Sequence, residues 1–292
     1  IPLRLVGSEM CIRDRTYMSK FSIENTEQLE IFSKEINQKF LINVGFPPNY
    51  SIENKKYPVV YVTDAGANFG GLMSSLPLMQ LVNDLPHFIL VGIDYVSNGS
   101  NDFMSLRNRD LTPTNDSVWM TNQKDTYKIF GDLPEVDAGG ANEFLEFINS
   151  KVKPLINDKY HIDKSDQTYC GFSLGGLFGL FALFTSPQSF NRYVIGSPSI
   201  WWDDKYILEI EKQFSKNNKN LPAKVFLSIG SLEEEPEGID FKMVTNVKSL
   251  SKTLKKRNYQ GLNINTVILQ DETHCSGIAA TLNRGLRDVF SL

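Results

Sequence analysis

Hydrophobic positions along this chain repeat with two periods, and the points where one period gives way to the other divide it into strands and helices. Residues 28–36 and 39–46 alternate or run apolar as strands do, and Asn37-Gln38 between them is a turn signal. They predict an antiparallel hairpin, closed off by Pro47-Pro48-Asn49-Tyr50. Residues 57–63 and 88–94 are apolar on both faces, the pattern of parallel strands covered on both sides, and 70–82 between them predicts a helix. Residues 141–156 carry Phe144, Leu145, Phe147, Ile148, Val152, Leu155 and Ile156 at helical spacing. Further strands are predicted over 169–172, 193–196, 223–230 and 263–269, and further helices over 174–184, 203–214, 243–256 and 277–290.

Strand and helix therefore alternate after the opening hairpin. That order predicts an α/β fold: a mostly parallel central sheet, an N-terminal antiparallel hairpin, and helices on both faces. The polar stretch 97–139 interrupts the alternation. It is too long for an ordinary connection, which predicts an irregular, lid-like insertion with a functional role.

Composition narrows the class of protein. With 292 residues and 41% hydrophobic content the chain can bury a large core, and no repeat, linker or compositional shift divides it. A single domain over 18–292 is expected. Residues 7–15 resemble a translated sequencing-adapter tract, so 1–17 are read as a non-native or disordered extension, with Met18 as the native start. A net charge of −4 and the lack of a basic stripe argue against nucleic acid as a partner. No apolar run is long enough to cross a membrane, and the apolar start at 1–6 is too short for a signal-peptide core. Cys11, Cys170 and Cys275 form neither a disulfide framework nor a Cys-x-x-Cys pair. The expected setting is a reduced cytoplasm. Three scattered histidines suggest no metal site and no cofactor.

The candidate chemistry lies in Gly171-Phe172-Ser173-Leu174-Gly175-Gly176, between a predicted strand and a predicted helix. A nucleophilic serine on a strained strand-to-helix turn needs glycines two residues before and two after, where side chains would collide. Serine also needs a base to take its proton. His87 and His161 precede strands upstream of Ser173, whereas His274 follows the last predicted strand, and the order serine, acid, histidine selects His274. The acid should follow the strand ending at Gly230. Glu233 is selected by its spacing, while Glu234, Glu235 and Glu237 read as a solvated loop, and Asp271 and Glu272 are too close in sequence to His274. Two amides should face the developing oxyanion. One is that of Leu174; the other comes from the loop after 57–63, assigned to Ala65 with Gly66 as the alternative.

With these residues placed, the chain resembles the putative-esterase family of α/β-hydrolases, which includes siderophore esterases, feruloyl esterases and esterase D. The matching stretches are Tyr57-Pro58-Val59-Val60-Tyr61-Val62-Thr63-Asp64, Arg109-Asp110-Leu111-Thr112-Pro113, Gly139-Gly140-Ala141 with Phe144, and 171–176. Ser197-Pro198-Ser199-Ile200-Trp201-Trp202 points to the siderophore-esterase-like branch. Thr63-Asp64-Ala65-Gly66 departs from the Leu-Asp-Gly more usual at that strand end. The resemblance implies a cofactor-independent serine esterase working through an acyl-enzyme on siderophore-type or aromatic acyl esters. Acyl transfer, hydrolysis of small thioesters, and a non-catalytic ligand-binding module are the competing readings.

Three further residues enter as substrate-binding candidates. The Arg109 fork either binds an anionic or catechol-like group or pairs with a carboxylate to fix its loop. Trp201 and Trp202 either line a pocket for an aromatic acyl group or cover the sheet edge. Trp119 and Met120 are weaker candidates for a wall of the same pocket.

Overall fold

A computed structural model describes residues 22–51, 55–96, 100–126, 136–235 and 241–291. The extension expected at 1–17 lies outside the described residues, as does Glu237.

Eight strands form one sheet in the order β1-β2-β4-β3-β5-β6-β7-β8. The hairpin is β1 (Thr26–Ser33) and β2 (Gln38–Gly45), paired antiparallel from Thr26 opposite Gly45 to Ser33 opposite Gln38. Its turn is 34–37, starting three residues before and ending one residue before the predicted Asn37-Gln38, with Asn37 at φ 55 taking up the reversal. Strand β2 runs antiparallel to β4 (Ile89–Tyr95). From β4 onward every pairing is parallel, through β3 (Tyr57–Val62), β5 (Ile162–Phe172), β6 (Arg192–Gly196), β7 (Asn220–Gly230) and β8 (Gln260–Leu269).

The two-sided apolar pattern of the central strands has a direct structural cause. Val59 and Tyr61 of β3 enter one hydrophobic cluster, together with Tyr169, Tyr193, Ile195, Val225 and Leu227. Val60 and Val62 enter the other, with Leu90, Cys170, Val194 and Phe226. Successive side chains on a strand point to opposite faces, so both faces of these strands must be apolar if helices cover each. Helices α1 (Ala65–Leu81) and α9 (Gly277–Phe290) pack side by side on the second face. The first face is covered by α4 (Ala141–Phe147), α6 (Leu174–Thr185), α7 (Trp202–Asn217) and α8 (Met243–Arg257).

Several elements differ from expectation for identifiable reasons. Helix α1 begins at Ala65, five residues before its predicted start, with Asp64 at φ 53 as its left-handed N-cap. Burial of Ala65, Phe69, Leu72, Met73 and Leu76 outweighs the low helix propensity of Gly66, Gly70 and Gly71. The stretch 97–139, expected to be irregular, contains two helices, α2 (Ser100–Leu111) and α3 (Ser117–Thr126). The helix predicted over 141–156 continues through a π-turn (Ile148–Val152) into α5 (Lys153–Lys159). Pro154 lacks the N–H that a regular helix would bond to residue 150, and the π-turn just before it absorbs the mismatch. In α7, Asp203, Asp204 and Lys205 are left-handed at φ 47, 48 and 66, so the chain kinks immediately after Trp202.

Candidate active site

The side chains at 173, 233 and 274 come from the C-terminal ends of parallel strands, the edge of an open α/β sheet where ligands collect. Phe172 ends β5, Gly230 ends β7 and Leu269 ends β8. Ser173 has φ 59 and ψ −118, a conformation that side chains other than glycine rarely adopt. Its N–H bonds to the Gly196 carbonyl at 2.9 Å, and its carbonyl accepts from Leu177 at 3.0 Å, so strand β6 and the first turn of α6 hold the turn from both sides. The glycines are steric requirements. A Cβ on Gly171 would overlap the Gly175 carbonyl, and one on Gly175 would come within 2.7 Å of Thr63 Oγ1.

The loops after β7 and β8 are joined by Ser231 N–H to the Leu269 carbonyl at 2.8 Å and Leu232 N–H to the Glu272 carbonyl at 3.1 Å. This junction sets Glu233 beside His274. His274 Nδ1 lies 2.6 Å from Glu233 Oε2, and its Nε2 lies 3.0 Å from Ser173 Oγ. Glu233 has no solvent exposure, and its other oxygen accepts from Ser197 Oγ and from the Gly230 N–H, both at 2.7 Å. A buried carboxylate holding three such bonds is fixed in position and satisfied. The Phe172 ring packs against the imidazole at a centroid distance of 5.1 Å.

The neighbouring acids are occupied elsewhere. Glu234 bonds the backbone N–H of Thr245 at 2.8 Å and its hydroxyl at 2.5 Å, and Glu235 is exposed. Glu272 accepts from Ser276 at 2.5 Å. His161 sits at the start of β5, its Nδ1 2.6 Å from the Lys55 carbonyl, and His87 precedes β4. Both are at the opposite ends of their strands from Ser173.

Leu174 and Ala65 are the first residues of α6 and α1, so their N–H groups have no partner within those helices. The Gly66 N–H, the alternative, is taken by the Asp94 carboxylate. Burial, with the nearby charge of Asp64 adding to it, raises the Asp94 carboxyl above its ordinary range. Asp64 is gripped by both arms of Arg107, Nε to Oδ1 at 3.0 Å and Nη2 to Oδ2 at 2.9 Å. Gly175 and Asp64 Oδ2 are also close, at 3.5 Å from where a Cβ on Gly175 would lie, so the β3 loop and the turn at Ser173 face each other directly.

The substrate-binding candidates separate. Arg109 has its fork on the buried Asp110 carboxylate, at 2.7 and 2.9 Å, which corresponds to the loop-fixing alternative. Trp202, a candidate either for a pocket wall or for covering the sheet edge, is corrected as a pocket residue: it is 1% exposed and donates its indole N–H to the Thr114 carbonyl at 3.1 Å, sealed in the core. Trp201 is half-buried, stacked on Phe241 at 4.3 Å and edge-on to Trp119 at 4.7 Å. This aromatic group lies two residues beyond Ser199, whose hydroxyl is 3.5 Å from Ser173 Oγ. Asp116 connects the two sides of the group, accepting from Trp119 N–H at 2.9 Å and from Asp203 N–H at 3.2 Å. Met120 packs with the same hydrophobic cluster. A polar cleft of about 540 Å³ opens instead at the N-terminal end of β6, lined by Lys153, Gln167 and Asn191 among others, and shares no residue with the serine site.

Sequence reasoning overlooked Ser197, Tyr169, Arg107 and Asp116. Ser197 and its neighbours stood out only as part of the Ser-Pro-Ser-Ile-Trp-Trp stretch, with no role attached.

A family model described as "Putative esterase" matches residues 33–265. Ferri-bacillibactin esterase BesA of Bacillus subtilis (strain 168) is 32% identical over 273 residues, covering 91% of this chain and 90% of that protein. A siderophore triacetylfusarinine C esterase of Aspergillus fumigatus is 30% identical over 227 residues, covering 73% of this chain and 70% of its own length. Among solved structures, the BES protein from Bacillus cereus superposes with a TM-score of 0.79 at 31% identity, covering 95% of this chain and 99% of that one. Among the described residues no helix is long and apolar enough to cross a membrane. With this family match and these relatives, the chain belongs to the putative-esterase family of ester-hydrolysing enzymes with the α/β-hydrolase fold.

Proposed function

We propose that this protein is a serine esterase that opens siderophore-type or aromatic acyl esters through an acyl-enzyme. The observation that carries the reading is the unbroken sequence of contacts from Ser173 Oγ through both ring nitrogens of His274 to Glu233, at 3.0 and 2.6 Å. His274 Nε2 takes the hydroxyl proton as Ser173 Oγ bonds to the ester carbonyl carbon. The carbonyl π electrons move to oxygen, and the N–H groups of Leu174 and Ala65 hold the resulting oxyanion. As the intermediate collapses, the C–O bond to the alcohol breaks and His274 returns the proton to the departing oxygen. Water then repeats the sequence on the acyl-enzyme, giving the carboxylic acid and free Ser173. Glu233 keeps the Nδ1 proton in place and stabilises the charged imidazole formed at each step.

The substrate class rests on two supports. Relatives at 32% and 30% identity are a ferri-bacillibactin esterase and a triacetylfusarinine C esterase. Trp119, Trp201 and Phe241 also supply an aromatic wall just beyond Ser199, suited to stacking on a planar acyl group. Arg109 is assigned to holding the end of α2, through Asp110 and through its own carbonyl, which accepts from Gly140 N–H at 2.7 Å. A cytoplasmic setting agrees with the buried thiol of Cys170 and the exposed one of Cys275, both free among the described residues.

The test compares the parent with Ser173→Ala on a catecholate trilactone, a feruloyl ester, a short p-nitrophenyl ester and S-formylglutathione. The parent is expected to favour the first two, and the variant to lose turnover on all four while remaining folded. Turnover retained by Ser173→Ala contradicts the mechanism, and preference for the thioester contradicts the substrate class.

A further inference from the structure

Two helix starts bring the oxyanion-binding amides together, and nothing in the serine, histidine and glutamate contacts fixes the distance between them. Leu174 begins α6, which follows β5, and Ala65 begins α1, which follows β3. Behind both lies Tyr169 of β5, with no solvent exposure. Its hydroxyl donates to the Gly175 carbonyl at 2.7 Å and lies 3.0 Å from Thr63 Oγ1. Since the phenolic proton is used on Gly175, Thr63 is the donor in the second bond. Thr63 lies between the end of β3 and the left-handed Asp64, and its carbonyl accepts from Asn68 Nδ2 in the first turn of α1 at 3.0 Å. A continuous buried chain thus runs from the first turn of α1, through Thr63 and Tyr169, to the first turn of α6.

We propose that Tyr169 and Thr63 are positioning residues for the oxyanion hole, fixing the spacing of the Ala65 and Leu174 amides through the Thr63–Tyr169–Gly175 hydrogen bonds. The inference rests on the serine-esterase reading above. Three features support a positioning role beyond simple packing. The phenol bonds to both the α6 turn and the β3 end. Burial holds it well above the ordinary tyrosine range, so it remains a donor at every working pH. In a dry site, hydrogen bonds of this kind hold backbone groups at a set separation, and preorganised donors act only if that separation matches the oxyanion.

Tyr169→Phe removes both bonds of the chain, Thr63→Val removes only the one between Thr63 and Tyr169, and Thr63→Ser keeps both. Three quantities are read: kcat and KM on a p-nitrophenyl ester, the affinity of a trifluoromethyl ketone whose serine adduct places an alkoxide at the two amides, and the melting temperature. Both cutting variants should lower kcat about tenfold with KM within about twofold, less than the roughly 100- to 1,000-fold cost of deleting an oxyanion donor outright. Ketone affinity should weaken by the same factor, and the pH dependence of kcat/KM should keep its shape. Thr63→Ser should behave as the parent, and the double variant no worse than Tyr169→Phe alone. If either cutting variant melts earlier but keeps parental kcat and ketone affinity, or if the two effects multiply, the positioning role is wrong. Should Tyr169→Phe fail to fold, Thr63→Val decides the question by the same readouts. Ser173→Ala, measured alongside, separates the two levels: an active Ser173→Ala overturns the serine reading, whereas an inactive one with parental brace variants overturns only this inference.

Discussion

Glu233→Gln changes a single heavy atom and isolates what the buried carboxylate does. In the parent, Oε1 holds the Ser197 hydroxyl and the Gly230 N–H, and Oε2 faces His274 Nδ1 at 2.6 Å. Glutamine can keep the first two bonds only with its carbonyl oxygen, which turns its NH2 toward Nδ1. The imidazole must then accept at Nδ1 and carry its proton at Nε2, where it cannot receive the Ser173 proton. The charge effect adds to this. For charge centres about 4 Å apart at an effective dielectric of about 20, the carboxylate stabilises the imidazolium by about 4 kcal/mol. His274 retains 30% side-chain exposure, and solvent screening brings the lower bound to ~2 kcal/mol. At about 1.4 kcal/mol per factor of ten, kcat/KM should fall roughly 30- to 1,000-fold. The assay is hydrolysis of a soluble p-nitrophenyl ester, with circular dichroism and a melting curve to show that the variant is folded. A folded Glu233→Gln enzyme within about threefold of the parent would refute the argument and leave a serine–histidine pair acting alone.

Further outcomes follow from the same coordinates. Trp202→Ala should cost about 3–5 kcal/mol of stability in a denaturant titration, because it empties a sealed core position. Trp201→Ala should leave stability within ~1 kcal/mol, the range of a half-buried ring contact, but raise KM for an aromatic acyl ester over a short aliphatic one; equal effects of the two on stability would contradict the assignment. Lys153 is held on the Ser189 carbonyl and over the Phe190 ring, and burial lowers its ammonium to about 7. The folded state therefore binds fewer protons than the unfolded chain between about 7 and the ordinary lysine range, and stability should rise with pH across that window. Lys153→Met should melt higher than the parent below pH about 7, with the advantage fading as the pH approaches about 10; a constant difference would show that the amine is not desolvated.

How far the sequence revealed this molecule depended on whether apolar spacing or polar contacts decide each element. Strands β3, β4 and β6, and the C-terminal parts of β5 and β7, were legible because both of their faces are buried there, which forces continuous apolar runs such as Val59-Val60-Tyr61-Val62; the polar, exposed start of β5 left no such run to read. Helix α2 was not, because its buried face includes Ser105, Asn108 and Asp110, polar side chains that leave no apolar period to read. Ser173, Glu233 and His274 could be singled out by order along the chain, since each follows the end of a strand. Trp201 and Trp202 could not be told apart, because a single residue of phase separates a half-buried ring from a sealed one and the kink at 203–205 leaves no period to set that phase. Arg109 and Arg107 posed the same difficulty: both are forks on one helix, and only the fold reveals that Arg107 reaches Asp64 while Arg109 turns to Asp110. Tyr169 looked like one more core aromatic, since nothing in its neighbours announces where its hydroxyl points.

The central claim is that Ser173 is an activated nucleophile, and the most direct measurement is covalent capture. Native protein is treated with a fluorophosphonate, then weighed intact and mapped by peptide mass spectrometry. The account predicts a single adduct on Ser173, a rate of labelling that drops sharply in His274→Ala, and no adduct after denaturation. Native, folded protein that stays unlabelled at Ser173, or that labels equally fast without the imidazole, would contradict it.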